Sequence, residues 1–252
     1  MKYSPRIALA FGIALMSSSI AFADDIEVSV TTEFVTEYIF RGATFAGYAF
    51  QPGAEISYNN VTIGAWASLP TGTEGDSFAD EIRMYASYLW GFNDKVDITT
   101  GLTLYHFPQS GGLFDFGVAA GDASTIEVYG AIDFDVPLSP ALTAYYDVDL
   151  KSFTGIARMG HSYYLTPSAS FDIDAEAGFV TSDTGTDYEW TVLSGSMNWY
   201  FSDKISAYTS INYGINTEDL FIDTNFDPND PASVGPARDN NLWYGAGLKF
   251  GF

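Results

Sequence analysis

The stretch Asn240-Asn241-Leu242-Trp243-Tyr244-Gly245-Ala246-Gly247-Leu248-Lys249-Phe250-Gly251-Phe252 decides how the chain folds. Leu242, Tyr244, Ala246, Leu248, Phe250 and Phe252 fall on one face of a strand. Trp243, Gly245, Gly247, Lys249 and Gly251 fall on the other. This is a period of two held to the final residue. The last residue is aromatic, with no polar tail behind it. In a soluble sandwich the last apolar residues of such a strand would be left wet. In a closed cylinder crossing a bilayer they meet lipid, and the final strand pairs with the first so that no edge remains.

The same alternation recurs upstream. A first strand over 26–40 sets Ile26, Val28, Val30, Phe34, Tyr38 and Phe40 against Glu27, Ser29, Thr31, Glu33, Glu37 and Arg41. Arg41-Gly42 then opens a short loop to Gly47. A second strand over 48–58 points Glu55 inward and contains Pro52, which lacks a donor and predicts a bulge. Asn59-Asn60 reads as a two-residue hairpin turn, since Asn tolerates positive φ. A third strand covers 61–69. A fourth carries Ile82, Met84, Ala86, Tyr88, Trp90 and Phe92 opposite Glu81, Arg83, Tyr85 and Ser87, and turns at Asn93-Asp94.

Further alternating segments follow on either side of a Gly-rich loop at 107–123. One places Glu127, Tyr129, Asp133 and Asp135 inward; the next places Asp147, Asp149 and Lys151 inward. Strands over 158–170 and 174–181 put Arg158, Asp174 and Glu176 on their polar faces. Two more, over 188–201 and from Ile205 to Ile215, lead to the longest loop, 216–240. The expected fold is all-β: a single transmembrane antiparallel β-barrel of about twelve strands, each near the about 9–11 residues that a tilted spanning strand needs. Connections alternate short and long, as short periplasmic turns and longer extracellular loops would. Trp90-Gly91-Phe92-Asn93-Asp94-Lys95-Val96 is echoed by Trp199-Tyr200-Phe201-Ser202-Asp203-Lys204-Ile205, with paired outward aromatics at the same end of a strand, as in an interfacial belt.

Composition agrees. Lys2 and Arg6 precede an apolar run from Ile7 to Ile20, and Ala21-Phe22-Ala23 fits a cleavage site, so 1–23 reads as a signal peptide and 24–252 as the barrel. No later segment approaches the about 18 apolar residues of a spanning helix. The chain has no cysteine, 17 Tyr, 20 Phe, 24 Gly and a net charge of −22. Such acidity argues against nucleic acid, whose phosphates need Lys and Arg. It suits cations, or an outer surface bridged by divalent ions.

Thr36-Glu37-Tyr38-Ile39-Phe40-Arg41-Gly42, followed by Gln51-Pro52-Gly53, resembles the opening motif of the TorF-like (Gcw_chp-type) outer-membrane porin family. The sharp match covers about 30–68, and the remainder agrees in strand pattern, length and the terminal Phe. The resemblance implies a small single-domain barrel with a pore role and brings no catalytic residues.

The inward charges are the candidate pore lining: Glu33, Glu37, Arg41, Glu55, Arg83, Glu127, Asp147, Asp149, Lys151 and Arg158. On one reading they flank an aqueous path and favour cations, because a low-dielectric wall focuses their field. On the other they are structural ion pairs in a plugged or narrow lumen, where inward Tyr85, Tyr129, Tyr145 and Tyr164 take up room. The expected function is passive diffusion of small cationic or neutral solutes; the alternatives are a closed surface barrel acting through its loops and, further off, a lipid esterase. For an esterase, His106 has only Ser110 nearby, across Pro108, and adjacent His161 and Ser162 point to opposite sides of the wall. Asp223-Thr224-Asn225-Phe226-Asp227 spaces oxygens like a calcium loop but has Pro228 where Gly is needed. No catalytic residue, cofactor or resident metal is expected. Expected partners are outer-membrane lipid and lipopolysaccharide, small solutes, and the barrel-assembly machinery through the strand ending at Phe252.

Overall fold

A computed structural model of the chain describes residues 26–71, 80–117, 122–183, 185–222 and 236–252. Residues 1–23 and 223–227 lie outside them, and with them the signal peptide and the calcium-like spacing.

Twelve antiparallel strands close into one barrel. They are β1 (Ile26–Val35), β4 (Ala49–Tyr58), β5 (Val61–Pro70), β6 (Glu81–Asn93), β7 (Val96–His106), β8 (Ser124–Phe134), β9 (Ala141–Asp147), β10 (Ser152–Thr166), β11 (Ala169–Ser182), β12 (Tyr188–Ser202), β13 (Ile205–Asn216) and β16 (Asn240–Gly251). Four short strands lie outside the wall: β2 (Tyr38–Phe40), β3 (Ala43–Ala46), β14 (Phe221–Ile222) and β15 (Ala237–Arg238). Closure is made by the two terminal strands. Ser29 faces Gly251 and Val35 faces Gly245 in continuous register, so neither strand keeps an open edge.

The final strand, β16, alternates as its pattern demands. Leu242, Tyr244 and Leu248 point outward and are 41–46% exposed, whereas Trp243 and Lys249 point inward and are buried. Ile63, Leu102, Val128, Leu142 and Ile211 extend the exposed apolar surface around the barrel. Trp90, Phe92, Trp199 and Phe201 all stand exposed beside tight turns at one end, the turn end. The longer connections gather at the other, the loop end.

Several strand limits differ from expectation. The first strand stops at Val35, and Tyr38 and Phe40 do not continue its outward face. The expected loop at 41–47 is instead half of a β2–β3 hairpin, turned at Arg41 and Gly42 with φ of 51° and 73°. Its rings have a better place to go than lipid, packing on Trp66 and Tyr105 inside the barrel. At Pro52 there is no extra residue: the register runs from Phe50↔Leu69 to Gly53↔Trp66 with equal spacing on both strands. The turn expected at Asn93-Asp94 falls on Asp94-Lys95, because Asn93 accepts a hydrogen bond from the Lys95 amide and stays in the strand. β9 ends at Asp147, and residues 148–151 form a tight turn in place of more strand. The Asp147 carboxylate causes this, accepting the Asp149 and Leu150 amides at 3.0 and 2.7 Å. β10 and β11 both begin earlier than expected, at Ser152 and Ala169.

Candidate functional site: a lumen narrowed by an inward hairpin

Polar lumen residues come from the odd or even set of every strand, and the β2–β3 hairpin lies among them. Arg41 at its tip donates to both oxygens of Glu127 on β8, at 2.7 and 2.8 Å, and to Thr154 on β10 at 3.3 Å. Its guanidinium also stacks over Phe40 and Tyr145, 4.7 and 4.4 Å from the ring centres. Tyr105 donates its hydroxyl to the same Glu127 at 2.9 Å. A bidentate guanidinium–carboxylate pair fixes direction as well as distance.

A second arginine holds the hairpin's other side. Arg83, on β6 and 1% exposed, contacts Glu81 and the Tyr38 hydroxyl and lies over the rings of Phe40, Trp66 and Tyr105. The Asn216 side chain donates to the Gly42 carbonyl at 2.7 Å, and Asn241 donates to Glu37. β3 continues sideways into β14 through Thr44, which donates its amide to Leu220 and accepts the Ile222 amide on its hydroxyl, both at 3.1 Å. Gly42 has to be glycine: its φ is left-handed, and a Cβ would run into the Trp190 side chain.

Beside the hairpin the lumen is apolar. Ile156, Trp190, Val192 and Trp243 point inward and pack with Phe221 and Ile39. Under it lies a cavity of about 190 Å³, lined among others by Phe40, Arg41, Arg83, Tyr129, Tyr145 and Arg158. Arg158 pairs with Glu176 at 2.7 Å, and Trp190 donates to the other oxygen of that glutamate at 2.7 Å.

Of the sequence candidates, the hairpin gathers four: Arg41 with Glu127, Arg83, and Glu37 at its base. Arg158 faces the same cavity. Arg41 reaches the lumen from the hairpin tip and not by climbing β1. Glu33 lies near the loop end of β1, and Glu55 lies nearer the turn end of β4; Tyr208 bonds Glu33, and Ser29 and Tyr85 donate to Glu55 at 3.3 and 3.4 Å. Buried Lys249 acts on Glu55 from β16. Asp147 is buried in its turn. Asp149 and Lys151 are corrected. Asp149 sits in the turn and accepts the Ile126 amide at 3.1 Å, and Lys151 is exposed with φ of 50°, so neither stands on an inward strand face.

Reasoning from sequence passed over Glu81, Tyr38, Tyr105, Glu176, Asp172 and Asp174 as site residues. A signal for the last three was present: Asp172-Ile173-Asp174-Ala175-Glu176 sets acids at every second position. His106 pairs with Ser124, not Ser110, at 3.0 Å, and that serine donates to the Leu113 carbonyl at 2.9 Å. The hydroxyl proton is thereby committed to the backbone, and the pair fastens a loop. His161 is exposed on the outer face against Tyr163. Among the described residues no cluster of three His, Cys, Asp or Glu side chains could hold a metal.

No known protein family matches the sequence, and no curated protein matches it. Solved structures do match in shape. The KdgM porin in complex with disordered oligogalacturonate superposes with a TM-score of 0.56 at 11% identity, over 90% of this chain and 99% of that one. The barrel has a porin fold. The NanC porin gives 0.56 at 9% identity, over 88% and 98% of the two chains. An outer membrane channel from Pseudomonas putida F1 gives 0.50 at 11%, over 92% and 97%. At such identities the likeness is one of backbone architecture, so what this porin-fold barrel passes or binds has to be argued from its own side chains.

Proposed function

We propose that the chain is a narrow outer-membrane diffusion channel for small cationic or neutral solutes, and that the β2–β3 hairpin is its constriction. The observation that carries this is the hairpin itself: a loop folded into the lumen, with a cavity left beneath it. The exposed apolar surface on the outward face needs a bilayer, and residues 1–23 serve as the export signal. The turn end then faces the periplasm and the loop end the exterior. TorF-like porins remain the family to which the motif at 36–42 points.

Charge supports the choice of solute. Arg41, Arg83 and Arg158 are each held against a glutamate, so their fields are largely cancelled. Glu33, Asp172 and Asp174 lack such a partner among the described residues, and unpaired acids in a low-dielectric wall concentrate cations. Lipopolysaccharide would meet the acidic loops through divalent ions, and the assembly machinery would engage the strand ending at Phe252. No part of the site suggests a reaction, since the Ser124–His106 pair is spent on its loop.

The second reading is a closed barrel acting through its loops. It is favoured by the number of bonds that hold the hairpin inside. Planar-bilayer recording tests both. Stepwise conductance with a reversal potential favouring cations is the expected result, and silence across many insertions would overturn the channel.

A further inference from the structure

Glu81, Glu127 and Glu176 are each answered by an arginine, but a second set of inward polar groups is not. Asp174 on β11, Ser194 on β12 and Asn212 on β13 are direct register partners, so they form one lateral row across three strands. All three face the lumen and are no more than 7% exposed. Asp174 Oδ1, Ser194 Oγ and Asn212 Oδ1 are each buried without a hydrogen-bond partner. The Asn212 nitrogen is engaged with Ser210 and the Trp243 carbonyl at 3.3 and 3.5 Å, which leaves its oxygen for something else.

Among the described residues, the one charged neighbour acting on Asp174 is another acid, Asp172. Asp172 is held by Ser170 at 3.2 Å and Asn198 at 2.8 Å. Asp174 leans over Gly160 on β10, where any Cβ would strike its Oδ1. A buried polar atom left without a partner is destabilising, most of all when the group is charged. Three in one row are therefore better explained by a ligand than by chance.

We infer that this row is a cation-binding station on the lumen wall, taking a partly hydrated alkali cation. The missing partner must satisfy a carboxylate, a hydroxyl and an amide carbonyl, all hard oxygens of the kind that coordinate alkali and alkaline-earth ions. Adjacent strands stand about 4.7–4.9 Å apart, so an ion against Asp174 reaches the outer members of the row through its own waters. One direct carboxylate with a second behind it is too little charge for a tightly held divalent ion, and weak binding is what transit requires. The station deepens the channel proposal by naming a place where a passing cation pauses, and it rests on that proposal only for the word passing.

The test uses crystals of the full barrel soaked in thallous acetate at pH 8, with anomalous scattering to locate Tl⁺. A peak beside Asp174, competed away by K⁺, is expected. It should vanish in Asp174→Asn and in Gly160→Ala, which displaces the carboxylate but keeps its charge. It should weaken but persist in Asp172→Asn. No peak in the parent, only a water at this position, or a peak unchanged in Asp174→Asn would overturn the station. Bilayer recordings keep the two ideas apart: a conducting barrel without the peak sinks the station alone, and a peak in a silent barrel sinks the channel alone.

Discussion

Removing the Arg41 side chain should unfasten the hairpin. Arg41→Ala deletes two charge-assisted bonds to Glu127, a third to Thr154 and the stacking on Phe40 and Tyr145. Taking one partner from a buried ion pair costs about 3–5 kcal/mol. The lower end applies, because Glu127 is 2% exposed yet keeps the Tyr105 hydroxyl at 2.9 Å. Arg41 would be hydrated if the hairpin swung out, so the loss falls on the inward state. At about 1.4 kcal/mol per factor of ten, about 3 kcal/mol raises the outward population roughly a hundredfold. The hairpin would still be held by Tyr38 on the Glu81 carboxylate, at about 1.5–3 kcal/mol for a bond to a charged group, and by Asn216 on Gly42 and by Thr44, at about 1 kcal/mol per neutral bond. Adding Asn216→Ala should therefore multiply the effect further. The assay is single-channel recording: Arg41→Ala should show longer and larger openings than the parent. Gly42→Ala should act in the same direction through the clash with Trp190 and the left-handed φ, with no change in charge. Open times and conductance within twofold of the parent in both variants would refute the hairpin as constriction.

Other consequences follow from the wall and from its pairs. Leu102→Arg puts a charge on the middle of an outward face and should cost about 2–4 kcal/mol in urea titrations of the vesicle-inserted barrel, whereas Thr103→Ser, one residue on and facing inward, should cost less than half as much. Glu176→Gln strips Arg158 of its charged partner and should lower stability by about 3 kcal/mol; the Arg158→Met and Glu176→Gln double variant should recover most of that loss. Ser124→Ala should cost about 1 kcal/mol and leave phospholipid hydrolysis at the detergent blank, like the parent; hydrolysis by the parent that this variant abolishes would revive an esterase.

The wall was legible because its code is local. Whether Leu242 meets lipid and Trp243 the lumen follows from adjacency alone, since neighbouring side chains on a strand point opposite ways. Twelve alternating segments joined by short turns at one end leave closure as the outcome that spares an edge. The hairpin was not legible for a related reason. Tyr38 and Phe40 continue the parity of Phe34, and a period of two cannot say whether an apolar ring faces lipid outside or aromatic rings inside. That choice belongs to Trp66, Arg83 and Tyr105, which the chain supplies only later. The pairing of Arg41 with Glu127 spans 86 residues and depends on how strands from different hairpins face one another across a closed lumen. In the same way Asp174 and Glu176 were visible on one polar face of a strand. Only the assembled barrel gave Glu176 an arginine and left Asp174 without one, because the partner in each case comes from a neighbouring strand or not at all.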